Sequence, residues 1–150
     1  CYRCAAGRVT YRLGAKIALH VQPEQFGVGA WQVDCSGFAR WILHHASAGR
    51  ITMPDGSQVQ RQWCASQGWH RVAKYSDLGR PDVVRDDSRL FIGFMRPVMV
   101  GKRQVKSGHV FCVSAGQTYE SRLGRGVSSR SWATPVLRLR CSDVWEVPVG

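Results

Sequence analysis

The sequence predicts an α+β domain in which N-terminal helices pack on a small antiparallel β-sheet. Helical patterns come first: apolar residues follow Asp34 at helical spacing, and a second helical pattern runs from Gln58 to about Gln67. Apolar runs of strand length come later, at residues 89–95 and 109–114. Helices grouped early and strands grouped late are typical of α+β domains.

Length and composition indicate one globular domain over residues 1–150. A chain of 150 residues with 44% hydrophobic and 21% charged residues is ordinary for a single folded unit. No apolar run approaches the roughly 18 residues that a membrane-spanning helix needs. Because the chain begins at Cys1 rather than at a methionine, we expect a processed protein or an excised catalytic domain.

The segment before the first long helix is predicted to hold little regular structure. A short helix is expected within residues 1–13, and residues 17–21 are a strand candidate inside a loop. Asp34 then offers a carboxylate to the free N–H groups of a first helical turn, and Phe38 opens the apolar stripe. Cys35 is therefore predicted to be the first helical residue.

A cysteine in this position is a candidate nucleophile. The partial positive charge and unpaired N–H groups of a helix N-terminus stabilise a thiolate, which is the reactive form of cysteine. Gly37 is expected to leave room for a substrate backbone. The alternative is that Cys35 is an inert, small hydrophobic residue.

The remaining elements follow from turn signals and periodicity. Gly49 is predicted to end the first helix, and a turn at residues 53–57 precedes the second, in which three residues are expected to face inward. These three residues are Val59, Trp63 and Cys64. Residues 68–87 are a predicted connector with a short strand candidate at 70–73.

The later strands are predicted to form a hairpin and two further strands. The strand at 109–114 is joined to a strand at 118–121 by a tight turn at residues 115–117. Residues 136–140 and 144–147 are the two further strand candidates.

One histidine is best placed to serve as a base for the cysteine. A cysteine nucleophile needs an imidazole to take its proton, and the imidazole needs a third group to hold its tautomer. His44 and His45 lie too far along the same helix, and His20 and His70 lie in poorly defined segments. His109 opens a predicted strand, where side chains have a defined direction.

Glu120 is the candidate for the third group. It falls beyond the predicted turn, where it could come beside His109. It is also the only acid between Asp87 and Asp143, set among ten lysines and arginines. The alternative is a surface salt bridge between Glu120 and one of those arginines.

The net charge of +11 favours an anionic partner. Nucleic acid, an acidic membrane surface and the acidic polymers of a bacterial wall all fit this charge, as does a solvated surface with no partner. No zinc-finger, RNP-like or basic-helix pattern is present, so we do not expect nucleic acid binding.

The cysteines point to neither a metal site nor a complete disulfide framework. If Cys35 is a free thiol, an odd five remain of six, namely Cys1, Cys4, Cys64, Cys112 and Cys141. The sequence allows one or two disulfides if the protein is exported, and it assigns no pairing. The sequence holds a single C-x-x-C pair, so we expect no metal and no cofactor.

Two motifs resemble a known family. Asp34-Cys35-Ser36-Gly37-Phe38 followed by Gly108-His109-Val110 resembles the NlpC/P60 family of papain-like cysteine peptidases, which cleave peptide bonds in bacterial peptidoglycan. Four further segments resemble segments of the family. Tyr11–Ala15 resembles its Tyr-x-x-Gly-Gly segment, and Met53-Pro54 resembles its Leu-Pro pair. Arg89–Phe94 resembles the strand before the histidine, and Gly124–Val127 resembles the Gly-x-Gly-Val segment. The resemblance spans roughly residues 7–130.

The resemblance implies a papain-like fold and a set of site residues. Cys35 would be the nucleophile, His109 the base and Glu120 the third residue, where the family more often has His, Asn or Gln. The adjacent Ser121 is an alternative for that third position. The Tyr11 hydroxyl would help the backbone N–H of Cys35 to stabilise an oxyanion.

Other positions follow from the same resemblance. Ser36 and Gly108 would flank the oxyanion and substrate region. The chain differs from the family in two places: Ala15 replaces the second Gly of the Tyr-x-x-Gly-Gly segment, and residues 27–31 are an insertion. The details of the substrate groove therefore stay open.

The expected function is hydrolysis of amide bonds in peptidoglycan stem peptides through a thioester. The resemblance implies a monomer that acts outside the cell, at the wall or in the periplasm, with peptidoglycan and anionic wall polymers as partners. The sequence does not decide whether the protein acts on the wall of the cell that produces it, serves a phage, or attacks competing bacteria. The alternatives are a papain-like acyl hydrolase or transferase with a non-wall substrate, a non-catalytic relative that binds, and a basic nucleic-acid-binding module.

Overall fold

The computed structural model describes residues 5–72 and 88–150, apart from the side chains of residues 136 and 138. These residues form a mixed α+β structure, as predicted. The helices are α1 (Cys35–Ala46), α2 (Ser57–Ser66) and α3 (Pro135–Arg140), with a 3-10 helix at Pro23–Gly27. The strands are β1 (Val9–Tyr11), β2 (Trp31–Val33), β3 (Leu90–Met95), β4 (Val98–Val100), β5 (Arg103–Lys106), β6 (His109–Ser114), β7 (Gln117–Arg122), β8 (Gly126–Ser131) and β9 (Cys141–Val147).

The main sheet has five antiparallel strands in the order β8-β7-β6-β3-β9. Its central strand β6 pairs with β3, where Val110 lies opposite Phe94, and with β7, where Val113 lies opposite Thr118. Ala115 and Gly116 join β6 to β7 with φ values of 51° and 72°. Two successive positive φ values match the twist of a two-residue hairpin, so the predicted hairpin is confirmed.

Both faces of the sheet are covered. Helices α1 and α2 pack on one face, where Ala39, Leu43 and Cys64 join Val110 and Cys112 in one buried cluster. The alternate residues of β6 point to the opposite face and pack in a second cluster. This second cluster contains Phe111, Val113, Trp132 and Leu137. The sheet is therefore the middle layer, and α1 is fixed against its central strand.

The segment before α1 differs from the prediction. The helix expected within residues 1–13 is wrong over Val9–Tyr11, which is a strand that pairs in parallel with β2. The strand expected at residues 17–21 is wrong too, because this stretch is irregular. Ile17 and Val21 are buried against α1, and the Trp41 indole donates to the Val21 carbonyl at 2.9 Å. The apolar residues there serve packing against a helix rather than a sheet.

Three further differences concern short elements. Residues 136–140 were expected to form a strand but lie in α3, which begins at Pro135, a residue favoured at the first helical position. Strands β4, β5 and β8 lie in segments for which no strand was predicted. Residues 70–72 form only an isolated bridge, Arg71 to Trp145. Ala73 and the rest of the predicted connector to residue 87 lie outside the described residues.

Helices α1 and α2 begin within one residue of their predicted starts. Helix α1 starts at Cys35 and ends at Ala46, where the chain turns through Gly49 with φ 82°. In α2 the expectation for Val59 is wrong, because its side chain is 51% exposed while Gln60 is buried. Gln60 faces inward since its amide donates to the carbonyls of Ser36 and Pro54, both at 2.9 Å.

The four described cysteines, Cys35, Cys64, Cys112 and Cys141, are free thiols. Cys1 and Cys4 lie outside the described residues. Within residues 5–72 and 88–150, no group of three or more His, Cys, Asp or Glu side chains is arranged to hold a metal ion. No helix in the same ranges is long and apolar enough to cross a membrane.

Candidate active site

The start of α1 is held by one carboxylate. Asp34 is the N-cap, and its Oδ1 accepts hydrogen bonds from the Gly37 N–H at 2.7 Å and from the Ser36 hydroxyl at 2.9 Å. The cap and the helix start at Cys35 are therefore confirmed. The cap fixes the first turn, so Cys35 sits at the positive end of the helix dipole.

The second oxygen of Asp34 ties this helix start to the preceding loop. Oδ2 accepts from the Gly14 N–H at 3.0 Å and from Lys16 Nζ at 2.5 Å. Burial disfavours the charged carboxylate, but these donors outweigh it and hold the pKa of Asp34 below its ordinary value. Lys16 was missed by sequence reasoning, since nothing in its irregular segment indicated that it folds back on the cap.

Gly37 and Ser36 have structural roles that differ from the expectation. A Cβ on Gly37 would stand 2.9 Å from Lys16 Cδ and 3.1 Å from the Ala15 carbonyl oxygen. The glycine thus lets the loop before α1 pack closely, instead of opening space for a substrate. The structure also places the Ser36 hydroxyl in the cap network, where it accepts from Lys16 Nζ at 3.1 Å.

The structure brings Cys35, His109 and Glu120 together. His109 Nε2 lies 2.6 Å from Glu120 Oε2 across the β6–β7 hairpin, as the hairpin pattern predicted. Cys35 and His109 line the same cavity, and the interaction between them contributes to a raised pKa of His109. Because Nε2 is taken by Glu120, Nδ1 is the nitrogen left to exchange a proton with the thiol.

Glu120 is held by more than the histidine. Its side chain is 0% exposed, and Arg130 donates to it through Nε at 2.7 Å and through Nη2 at 3.2 Å. The Thr118 hydroxyl adds a third donor at 2.9 Å. The ion pair between Glu120 and Arg130 is buried, so the alternative of a surface salt bridge is wrong, and Glu120 binds the arginine and the histidine together. Ser121, the other candidate, donates to the Val33 carbonyl at 2.8 Å instead.

Arg130 was missed because β8 was not predicted. The strand is mostly polar, so no apolar alternation marked it, and its pairing with β7 could not be anticipated. The one available signal was Glu120 itself, since a lone acid among many basic residues needs a cation if it is buried.

The electrostatics favour a charged histidine beside a charged glutamate. Burial opposes a charge on His109, but its interactions with Cys35 and Glu120 outweigh it and raise its pKa to about 9. Burial likewise opposes ionisation of Glu120, yet His109 and Arg130 keep its pKa below the ordinary value. The carboxylate therefore orients the imidazole and stabilises its protonated form.

Cys35 opens into a cavity of about 220 Å³. Tyr11, Gly108 and His109 line this cavity with it. Burial and the nearby Cys35 and Asp34 raise the pKa of Tyr11, so its hydroxyl stays protonated and able to donate. Gly108 is also needed for packing, because a Cβ there would stand 2.8 Å from Gln58 Nε2.

The other described thiols differ in environment from Cys35. Cys64, Cys112 and Cys141 are fully buried, whereas Cys35 is partly exposed at the cavity. Burial raises the pKa of Cys64 and of Cys141 to about 12, and raises that of Cys112 as well. These three thiols stay protonated and inert at neutral pH.

The site thus combines a thiol at a helix start, an imidazole that lines the same cavity, and a buried carboxylate that orients the imidazole. This is the arrangement required for nucleophilic attack by a cysteine on an acyl carbon. The sequence matches no protein-family model, and a search of curated proteins finds no match.

Proposed function

We propose that this chain is a cysteine hydrolase of the papain-like NlpC/P60 type, which cleaves amide bonds in peptidoglycan stem peptides. The observation that supports it most is the position of His109, which lines the same cavity as Cys35 and lies 2.6 Å from Glu120 through Nε2. The resemblance of the segments around Cys35 and His109 to that family supports the choice of substrate.

The reaction begins from a thiolate–imidazolium pair, in which the Cys35 proton is held on His109 Nδ1 because the raised pKa of His109 keeps the imidazole protonated at neutral pH. The thiolate attacks the amide carbonyl, a C–S bond forms, and the carbonyl π electrons move onto oxygen. The Tyr11 hydroxyl and the free backbone N–H groups at the start of α1 donate to this oxyanion. Glu120 stabilises the imidazolium throughout this step.

Collapse of the tetrahedral intermediate releases the first product. The C–N bond breaks as His109 gives its proton to the leaving amine, and a thioester to Cys35 remains. Neutral His109 then takes a proton from water as the water attacks the thioester. Cleavage of the C–S bond releases the carboxylic acid and restores the Cys35 thiolate beside protonated His109.

The charge of the chain supports a site of action at the bacterial wall. A net charge of +11 favours adsorption to anionic wall polymers, which concentrates the enzyme on its substrate. We accordingly place its activity outside the cell, in the wall or the periplasm.

Digestion of purified peptidoglycan tests this proposal. The wild type should release soluble fragments whose masses identify the bond cleaved, and Cys35→Ala and His109→Ala should release none. His70→Ala is the matched control, because the His70 side chain is 72% exposed and lies outside the site. If the wild type releases no fragments, the wall substrate is wrong. Selective alkylation of Cys35 in that same preparation would then point to another acyl substrate.

A further inference from the structure

We infer that Arg140, assisted by Arg122, forms a carboxylate-binding subsite beside the Cys35 thiol, so that the enzyme prefers amide bonds flanked by a free carboxylate. This inference rests on the proposed function and narrows its substrate class. It is carried by the charge of the cavity walls, by the unused donors of Arg140, and by a second cavity that adjoins the first at this residue.

The cavity around Cys35 has a strongly basic wall. Arg122, Arg130 and Arg140 line it, and no acidic side chain does so within the described part of the chain. Glu120 is fully buried and pairs with Arg130. The three guanidinium groups carry three positive charges, and Glu120, which pairs with Arg130 and Arg122, balances one of them, so this wall keeps an excess of two positive charges.

The three arginines are not equally available to a ligand. Arg130 is engaged by Glu120 through two hydrogen bonds. Arg122 is partly engaged, since its Nε lies 3.2 Å from the Ser128 hydroxyl oxygen and 3.7 Å from Glu120 Oε1.

Arg140 is the least engaged of the three. Its Nη2 makes one long contact of 3.5 Å with the Ser107 carbonyl oxygen, two residues before His109. Its Nε is buried and has no hydrogen-bond partner among the residues that the structure describes. A guanidinium with most of its donors unused, next to the base, is suited to a planar anion.

Arg140 also lines a second cavity, of about 420 Å³. Its other walls include the apolar residues Pro97, Val98 and Leu139. Arg96 also lines it, with Nη2 3.6 Å from Asp143 Oδ2. Because Arg140 belongs to both cavities, a substrate chain that reaches Cys35 can continue past its guanidinium. The anion expected there is therefore part of the substrate, and in a peptide-like substrate that anion is a carboxylate.

Two matched stem-peptide fragments test the subsite. They are identical except that the residues next to the scissile amide carry free carboxylates in one and carboxamides in the other. The wild type should hydrolyse the carboxylate form with a kcat/KM about tenfold higher, since charge-assisted hydrogen bonds exceed neutral ones by about that factor. Fragments amidated on only the acyl side or only the amine side identify which carboxylate is bound.

The variants separate the subsite from the catalytic groups. Arg140→Gln should bring the two kcat/KM values close together by lowering that of the carboxylate form about tenfold, and Arg122→Gln should lower it less. Arg103→Gln removes the same charge from the exposed strand β5 and should leave the preference unchanged. An unchanged Tm of Arg140→Gln shows that its fold is intact.

A binding measurement makes the outcome independent of turnover. Calorimetry with Cys35→Ala should show tighter binding of the carboxylate fragment, and adding Arg140→Gln should remove the difference. Equal kcat/KM for both fragments in the wild type, or a preference that survives Arg140→Gln, overturns the subsite while hydrolysis stands. Arg140-dependent binding without turnover by the wild type overturns the hydrolase proposal while the subsite stands.

Discussion

Replacing Arg130 by methionine should destabilise the protein through Glu120. The variant leaves a fully buried carboxylate that keeps the His109 ring, the Thr118 hydroxyl and, at 3.7 Å, Arg122 Nε as partners. Breaking a buried ion pair by removing one partner costs about 3–5 kcal/mol. Arg130 is 21% exposed and Glu120 keeps three partners, so we expect a loss of about 2 kcal/mol at pH 7.

The assay is urea denaturation, with Arg125→Met as the matched control. Arg125 is exposed in the turn between β7 and β8, so its loss should change the free energy of unfolding by less than about 0.5 kcal/mol. In thermal denaturation, a loss of about 2 kcal/mol corresponds to a fall in Tm of about 4–8 °C for a chain of this length. A double-mutant cycle with Glu120→Gln should show coupling between the two sites.

The pH dependence of this loss has a definite sign. The pKa of Glu120 lies below its ordinary value of 4.5 in the folded protein, so its interactions stabilise the fold above that value. That contribution disappears as pH falls through the folded pKa. The difference between wild type and Arg130→Met should thus be full at pH 7 and shrink below about pH 4. A difference no larger than that of Arg125→Met, or one equal at pH 7 and pH 3, would refute the reasoning.

Three further variants test other parts of the structure. Asp34→Ala removes an N-cap that accepts four hydrogen bonds and should cost about 2 kcal/mol in urea denaturation at pH 7; no loss would mean that the cap network is unimportant. NMR titration should show His109 losing its proton near pH 9, and at lower pH in Glu120→Gln. An unchanged pKa of His109 in that variant would show that Glu120 does not raise it. Gly93→Ala places a Cβ 2.5 Å from the Phe111 ring and should cost about 1–3 kcal/mol by overpacking, and a neutral result would show that the ring moves freely.

The parts of the site that were predictable depend on local signals. Asp34 and the apolar stripe that follows it mark the start of α1, because a cap and a helical period are both visible within a few residues. The contact between His109 and Glu120 was predictable because a two-residue turn fixes the register of a hairpin.

The parts that were missed depend on distant pairing. Strand β1 pairs with β2, about twenty residues further along, and nothing near Val9–Tyr11 reveals that partner. Lys16 reaches the Asp34 cap from an irregular segment, and Arg130 reaches Glu120 from an unpredicted strand. In each case the tertiary structure, rather than local propensity, decides the conformation.

Residues 136–140 show the limit of short patterns. A run of alternating apolar and basic residues fits a strand as well as one turn and a half of helix, so periodicity alone could not decide. The Thr134–Pro135 pair was the better signal, because proline is favoured in the first turn of a helix.

The most direct test of the central claim is to trap the acyl-enzyme. The wild-type protein is quenched in acid during turnover of a defined muropeptide, and its intact mass is measured. We predict an added mass equal to the acyl fragment, located on Cys35 by peptide mapping and absent in His109→Ala. Hydrolysis that continues undiminished in Cys35→Ala, with no adduct on the wild type, would contradict the proposed mechanism.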